Sequence, residues 1–168
     1  MNYTELKTNI EDICENSFTD AQLAMFTEQA EQKIYNTVQI PALRRNVTGS
    51  LTTNNKYLSV PTDLLYTYSL AVVDANGEYH YLINKDVNFI REAYPTPTSV
   101  GLPKHYAYFD NDSFILGPTP SGNYTAELHY GYYPESIVTA NNTWLGDEFD
   151  SALLNGALIE AIRFLKGE

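Results

Sequence analysis

Three carboxylates stand close together near the end of the chain, at Asp147, Glu148 and Asp150. A pair of carboxylates at a suitable separation can hydrolyse a glycosidic bond, one as the acid and the other as base or nucleophile. The same residue types are common in the first turn of a helix, where they complement the helix dipole. Because an apolar helical pattern follows them, we interpret these acids as a helix start rather than a catalytic pair.

The histidines and the cysteine are the other side chains that could bind a metal or act as nucleophiles. His80, His105 and His129 fall in separate predicted strands, without the close spacing typical of metal ligands. Cys14 is the single cysteine and lies on the apolar face of the first predicted helix. A lone thiol forms no intrachain disulfide and no zinc site by itself. We therefore expect no metal site and no cofactor.

A glycine spacing typical of phosphate-binding loops occurs at Gly117–Gly122. It is followed by Asn123 and Tyr124 where such a loop carries Lys and then Ser or Thr, and its two prolines remove amide donors. We predict that this segment is a turn. Since none of these candidates forms a catalytic arrangement, we predict that the protein is not an enzyme.

Two other features favour binding. Arg44 and Arg45 are the only adjacent basic residues in the chain and directly follow the second predicted helix. They could bridge to a neighbouring subunit or to DNA phosphate, or simply be solvated charges at a helix exit. We take both as candidate subunit-interface residues.

Tyrosine is concentrated in the middle of the chain, where all but two of the 14 tyrosines lie between Tyr57 and Tyr133. Tyrosine joins apolar area to a polar tip, so such a region could be a protein interface or a sugar-stacking platform, or it could be ordinary sheet packing. The candidate contact surface consists of Tyr79, Tyr81, Tyr106, Tyr108, Tyr130 and Tyr132.

Charge and composition exclude several classes of protein. The 168 residues include 10 Lys and Arg against 21 Asp and Glu, which gives a net charge of -11. A chain this acidic does not bind a nucleic-acid backbone unless its basic residues cluster on one surface. No apolar run approaches the roughly 18 residues that span a bilayer, so we expect no membrane association. The first residues carry neither a basic nor an apolar signal region, and we expect synthesis in a reducing cytoplasm.

The order of predicted elements is helix, sheet, helix. Helices are predicted at about 4–15 and 19–38, the second with a capping box of Thr19 and Gln22, and a last helix from about Asp147. Between them, short Tyr-rich strands are separated by turns such as Asn76-Gly77. We predict an α+β fold, in which residues 1–43 and 136–168 form a helical frame and 44–135 an inserted, mainly antiparallel β-module. The last helix is expected to pack on the first two.

Several short motifs follow one another along the chain. They are Glu28–Tyr35 running on to Leu43-Arg44-Arg45, then Tyr57–Leu65, Gly101–Ala107, Asp110–Asp112, Leu116–Pro120, Tyr124–Tyr133, Trp144-Leu145 and Leu153–Leu158. This ordered series resembles the head-to-tail adaptor proteins, also called connector or neck proteins, of tailed bacteriophages. It extends over nearly the whole chain.

The resemblance implies a structural virion protein of the neck, between capsid and tail. About a dozen copies would form a closed ring that binds the portal protein above and a tail or neck protein below. Genomic DNA would pass through the channel without sequence-specific binding, and the protein would be made in the host cytoplasm.

The tyrosine density also supports an alternative. The chain could instead be a carbohydrate- or receptor-binding β-module of a tail or surface component.

Overall fold

The computed structural model of the protein describes residues 1–167 and divides the chain into two units. The helical unit contains residues 1–42 and the chain from Pro134 onwards, and the β-unit contains Leu43–Tyr133. Helices account for 40% and strands for 28% of the residues, which confirms the predicted α+β class. None of the helices within residues 1–167 is long and apolar enough to cross a membrane.

Within residues 1–42 and 134–167, the helical unit has five α-helices. They are α1 (Tyr3–Cys14), α2 (Asp20–Thr37), α4 (Ile137–Ala140), α5 (Trp144–Glu148) and α6 (Asp150–Lys166). The predicted capping box of α2 is confirmed: Thr19 Oγ1 accepts the Gln22 N–H at 3.3 Å, and Gln22 Oε1 accepts the Thr19 N–H at 2.9 Å. These bonds satisfy two amide donors that a helix start leaves unpaired.

The predicted single helix from Asp147 is wrong. Phe149 leaves the helical conformation, with φ −136° and ψ 44°, and separates α5 from α6. Of the three acids proposed as one helix start, only Asp150 lies in the first turn of α6, because Asp147 and Glu148 belong to α5. All three acids are exposed.

The core of the helical unit lies where α6 packs against α1 and α2. At Gly156 the helices approach closely, since a Cβ atom there would lie 3.0 Å from the Cβ of Ala30. The buried core side chains are Leu6, Ile10, Leu23, Phe26, Leu145, Leu153, Ala157 and Ala161.

The β-unit contains ten strands and one α-helix. A short 3₁₀ helix (Pro41–Leu43) comes directly before the first strand. In chain order the elements are β1 (Arg44–Ser50), β2 (Tyr57–Ser59), β3 (Leu64–Val73), β4 (Tyr79–Tyr81), β5 (Ile83–Asn84), α3 (Val87–Ala93), β6 (Val100–Gly101), β7 (His105–Tyr108), β8 (Ser113–Gly117), β9 (Thr119–Pro120) and β10 (Thr125–Tyr132). β1 was not predicted from the sequence, because a strand with one apolar residue in seven shows no alternation.

Two four-stranded sheets pack face to face in the β-unit. Sheet A has the order β1-β10-β3-β4 and is antiparallel throughout, and sheet B has the order β2-β8-β7-β5 with a parallel β5–β7 pair. Their shared core includes Leu70, Leu128, Phe114 and Leu116. On the other side of sheet B, α3 packs through Ile90, while β6 and β9 form a small separate ladder.

Candidate functional site

Arg44 and Arg45 begin β1, which pairs with β10 so that they lie opposite Gly131 and Tyr130. Successive side chains of a strand point to opposite faces. The two guanidinium groups accordingly contact different rings: Arg44 lies over Tyr68 at 4.2 Å from the ring centroid, and Arg45 over Tyr132 at 3.7 Å. Each cation is thus partly covered by a tyrosine of its own chain.

Asp63 connects Arg45 to the core of the β-unit. Its Oδ2 accepts a hydrogen bond from Arg45 Nη1 at 2.8 Å, and its Oδ1 accepts one from the Tyr130 hydroxyl at 2.9 Å. Its backbone carbonyl accepts the Tyr133 N–H at 2.8 Å. Burial and the bond to Asp63 raise the pKa of the Tyr130 hydroxyl. The turn before β3 is therefore bonded to both β1 and β10.

Sequence analysis did not assign Asp63, although it lies in the Tyr57–Leu65 motif, two residues after Pro61. Its position directly before an apolar strand was the feature of the sequence that could have drawn attention to it. The ion pair with Asp63 bears on the interface hypothesis, because it binds Arg45 to a carboxylate of its own copy. The exposed Arg44 contacts a tyrosine ring rather than a carboxylate.

The six candidate tyrosines do not form one surface. Tyr106 is 4% and Tyr130 is 2% exposed, so both belong to the core, and Tyr132 is half-buried beneath Arg45. Tyr108 is 44% exposed, but its hydroxyl donates to Thr67 Oγ1 at 2.8 Å and accepts the Thr67 N–H at 3.0 Å. Only the two tyrosines of β4 are more than half exposed.

Tyr79 and Tyr81 present an exposed aromatic pair on β4. They are 51% and 67% exposed, and their rings stack with centroids 6.5 Å apart. The Tyr79 hydroxyl donates to Glu127 Oε2 at 3.2 Å, and this bond raises the pKa of Tyr79. Ile83, two residues after Tyr81, is also exposed. The segment 79–83 therefore displays an apolar residue at every second position.

A second aromatic group lies on β3 and β10 and was not singled out from the sequence. The rings of Tyr66 and Tyr68 are 5.2 Å apart, and the ring of His129 lies 5.4 Å from that of Tyr68. Burial and the hydrogen bond to Tyr68 raise the pKa of Tyr66 to about 12. A Cβ atom at Gly131 would overlap the Tyr66 ring, which explains the glycine at that position.

Grooves that could hold a ligand or a chain segment occur in the β-unit. One, of about 180 Å³, lies between β1 and β2, and Val47, Leu58, Val60, Ala126 and Leu128 line most of it. The other, of about 230 Å³, is more polar and is lined by Asn54, Asn55, Lys56, Tyr57, Tyr94, Pro95, Thr96, Pro97 and Thr119. The first is open to the core of the sandwich, since Ala126 and Leu128 belong to its buried cluster.

The histidines lie in different surroundings. His80 Nε2 is 3.1 Å from Asp74 Oδ2, and possible ligand atoms of Asp74, Glu78 and His80 all lie within 4.8 Å of one another. Asp74 Oδ1 is already bonded to the Asn76 and Glu78 amides. The hydrogen bond with His80 and these amide bonds lower the pKa of Asp74. The cluster stabilises the predicted Asn76-Gly77 hairpin.

His105 and Cys14 lie in separate, partly buried positions. His105 Nδ1 is 2.9 Å from the Tyr94 hydroxyl, and burial lowers the His105 pKa. Cys14 is half-buried, and burial raises the pKa of its thiol. These groups are not gathered at one site.

In the helical unit, α6 carries an exposed apolar face. Ile159, Ile162 and Leu165 are each exposed by more than two fifths, and Leu158 lies half-buried beside them. At 100° per residue these side chains lie on the side of α6 away from Leu153 and Ala157. A wide apolar face left in water is typical of an interaction surface.

A protein-family model matches the whole chain. The model of the family described as SU10 adaptor protein matches residues 1–168. No curated protein matches the chain. The match confirms the resemblance that the motif series carried.

Proposed function

The chain belongs to the SU10 adaptor protein family, a phage head-to-tail adaptor family, and from this premise we propose that it is the subunit of a closed ring between portal and tail. The family is one of structural phage adaptors and is not a known enzyme family. Its members associate with portal and tail proteins. About a dozen copies, related by rotation, would form the ring, since head-to-tail contacts that close give rings rather than filaments.

The exposed apolar face of α6 is the observation that carries the proposal. A single copy leaves Ile159, Ile162 and Leu165 in water, at a cost of roughly 25 cal/mol for each Å² of apolar surface. Contact with a neighbouring copy or with the portal would remove that surface from water. The net charge of -11 fits a channel through which DNA passes, because like charge disfavours phosphate binding. The protein would lie in the virion neck after synthesis in the host cytoplasm.

Electron microscopy tests the proposal directly. The purified protein, alone and with the portal protein of the same phage, should form closed rings with a central hole. Ile162→Asp should prevent ring formation without unfolding the monomer, because Ile162 is 43% exposed and outside the core. Gln29→Asp adds the same charge at an exposed position of α2 and should leave the rings intact. Wild-type monomers in both samples, or normal rings of Ile162→Asp, would contradict the proposal.

Carbohydrate or receptor binding is the alternative function, favoured by the polar groove of about 230 Å³ beside Tyr57 and Tyr94. An aromatic ring flanked by amide side chains can hold a sugar by stacking and hydrogen bonding. Calorimetry with a glycan panel tests it, with Tyr57→Ala as the matched variant. An absence of binding heat at millimolar sugar would exclude this function.

A further inference from the structure

The two edges of sheet A are open and exposed. Within residues 1–167, β1 pairs only with β10 and β4 pairs only with β3, so each has one edge without a strand partner. Six of the seven residues of β1 are exposed. A sheet edge offers a row of backbone N–H and C=O groups to any strand that can approach it.

Beyond its first two residues, β1 lacks the features that usually protect an edge strand. It pairs with β10 in one continuous register, without a bulge, from Arg44 to Ser50. After Arg45 it has no charged residue and no proline. Lysines, prolines and bulges are the common means of blocking edge pairing, and a long regular edge without them is expected to accept another strand.

The side of the sandwich next to β1 is also incomplete. The apolar groove between β1 and β2 reaches Ala126 and Leu128 in the core. On the opposite side the chain closes the sandwich itself, because it passes from β4 in sheet A directly to β5 in sheet B. A strand added beside β1 would satisfy the open edge with its backbone and would lie at the mouth of the groove.

The β4 edge has the complementary properties. Tyr79 and Tyr81 are exposed, and the bond from Tyr79 to Glu127 places both on the outer face of sheet A, away from the groove. Directly before β4, Glu78 is exposed, and the segment 74–84 contains no Lys or Arg. On β1, the exposed Arg44 contacts a tyrosine ring of its own copy rather than a carboxylate. In a chain of net charge -11, two copies repel each other over most of their surfaces, and these two edges are of opposite charge.

We propose that the β4 edge of one copy pairs with the β1 edge of the next, so that sheet A continues from subunit to subunit. The inference rests on the proposed ring and identifies the second copy as the occupant of the β1 side. The contact joins two different surfaces, so each copy has one donor edge and one acceptor edge. Backbone pairing gives this contact its affinity.

Two variants block one edge each. Gly49 lines the groove, and a Cβ atom there meets nothing within 4 Å, so Gly49→Lys places a charge at the acceptor edge without an internal clash. Tyr81→Lys changes the most exposed residue of the donor edge. Thr98→Lys adds the same charge in an exposed loop and is the control. Circular dichroism and thermal unfolding should be unchanged in all three.

Light scattering and electron microscopy, with and without the portal protein, give the result. We expect rings from the wild type and Thr98→Lys, and monomers from Gly49→Lys and from Tyr81→Lys. An equimolar mixture of the two blocked variants should give dimers and no rings, because each supplies the edge that the other has lost.

Each other outcome has a definite meaning. Rings from the wild type and from both blocked variants would overturn the edge pairing and leave the ring intact. Blocked variants that form no dimer on mixing would show that the two edges are not partners, which also overturns it. Dimers on mixing without closed rings of wild type would support the pairing and contradict the proposed function. Monomeric wild type under all conditions would overturn both.

Discussion

Removing the carboxylate of Asp63 should weaken the attachment of β1 to the rest of the β-unit. In Asp63→Ala the Tyr130 hydroxyl, on a residue 2% exposed, loses its acceptor, which costs about 1–3 kcal/mol. Arg45 loses its ion pair as well, but this pair is largely exposed and contributes only about 0–1 kcal/mol. We expect the free energy of unfolding to fall by about 1–4 kcal/mol.

A double-mutant cycle in urea separates these contributions. Tyr130→Phe removes the donor while Asp63 keeps Arg45, so it should cost about 0.5–1.5 kcal/mol in the wild-type background. In the Asp63→Ala background the hydroxyl has no acceptor, and the same substitution should be neutral or stabilising. Asp112→Ala removes an exposed acid from a nearby turn and is the control. Equal costs of Tyr130→Phe in both backgrounds would refute the Asp63 hydrogen bond.

Three further predictions concern Glu31, Gly156 and Arg44. Burial raises the pKa of the Glu31 carboxyl, which accepts the Ile137 N–H at 2.9 Å, so the folded state binds its proton more tightly than the unfolded state. The free energy of unfolding should therefore fall as the pH rises above 4.5, the ordinary pKa of a glutamate. Urea midpoints measured at several pH values should show that Glu31→Gln weakens this pH dependence. An unchanged pH dependence in Glu31→Gln would contradict the prediction. Gly156→Val should cost about 1–3 kcal/mol by overpacking against Ala30, and an unchanged melting temperature would exclude the close contact. Arg44→Glu should reduce ring formation without loss of stability, as measured by light scattering and thermal unfolding, whereas intact rings would remove Arg44 from the interface.

Local features of the fold were predictable from the sequence. The Thr19 capping box and the Asn76-Gly77 hairpin depend on residues within a few positions of each other, so their side chains alone indicate the structure. The break at Phe149 was not predictable in this way, because the apolar pattern continues across it. The existence of β1 also depends on a partner strand more than 70 positions away.

The candidate site was predictable only in part, for a similar reason. Alternation along a strand shows which residues share a face, but it does not show which face another sheet covers. Tyr79 and Tyr130 were therefore assigned to one surface, although the first is exposed and the second is in the core. The bond from Arg45 to Asp63 joins residues 18 positions apart and could not be inferred from either residue.

The motif residues that carry the family resemblance make contacts inside the fold. Asp63 holds β1 and β10 together, Gly117 leaves room for the Tyr94 ring, and Gly156 permits the close approach of α6 to α2. Residues of this kind specify the adaptor fold and say little about what it binds. The proposed assembly instead depends on exposed side chains such as Tyr81 and Ile162, which belong to none of the quoted motifs. Substitutions at Asp63, Gly117 and Gly156 should therefore lower the free energy of unfolding. Substitutions at Tyr81 and Ile162 should change assembly alone.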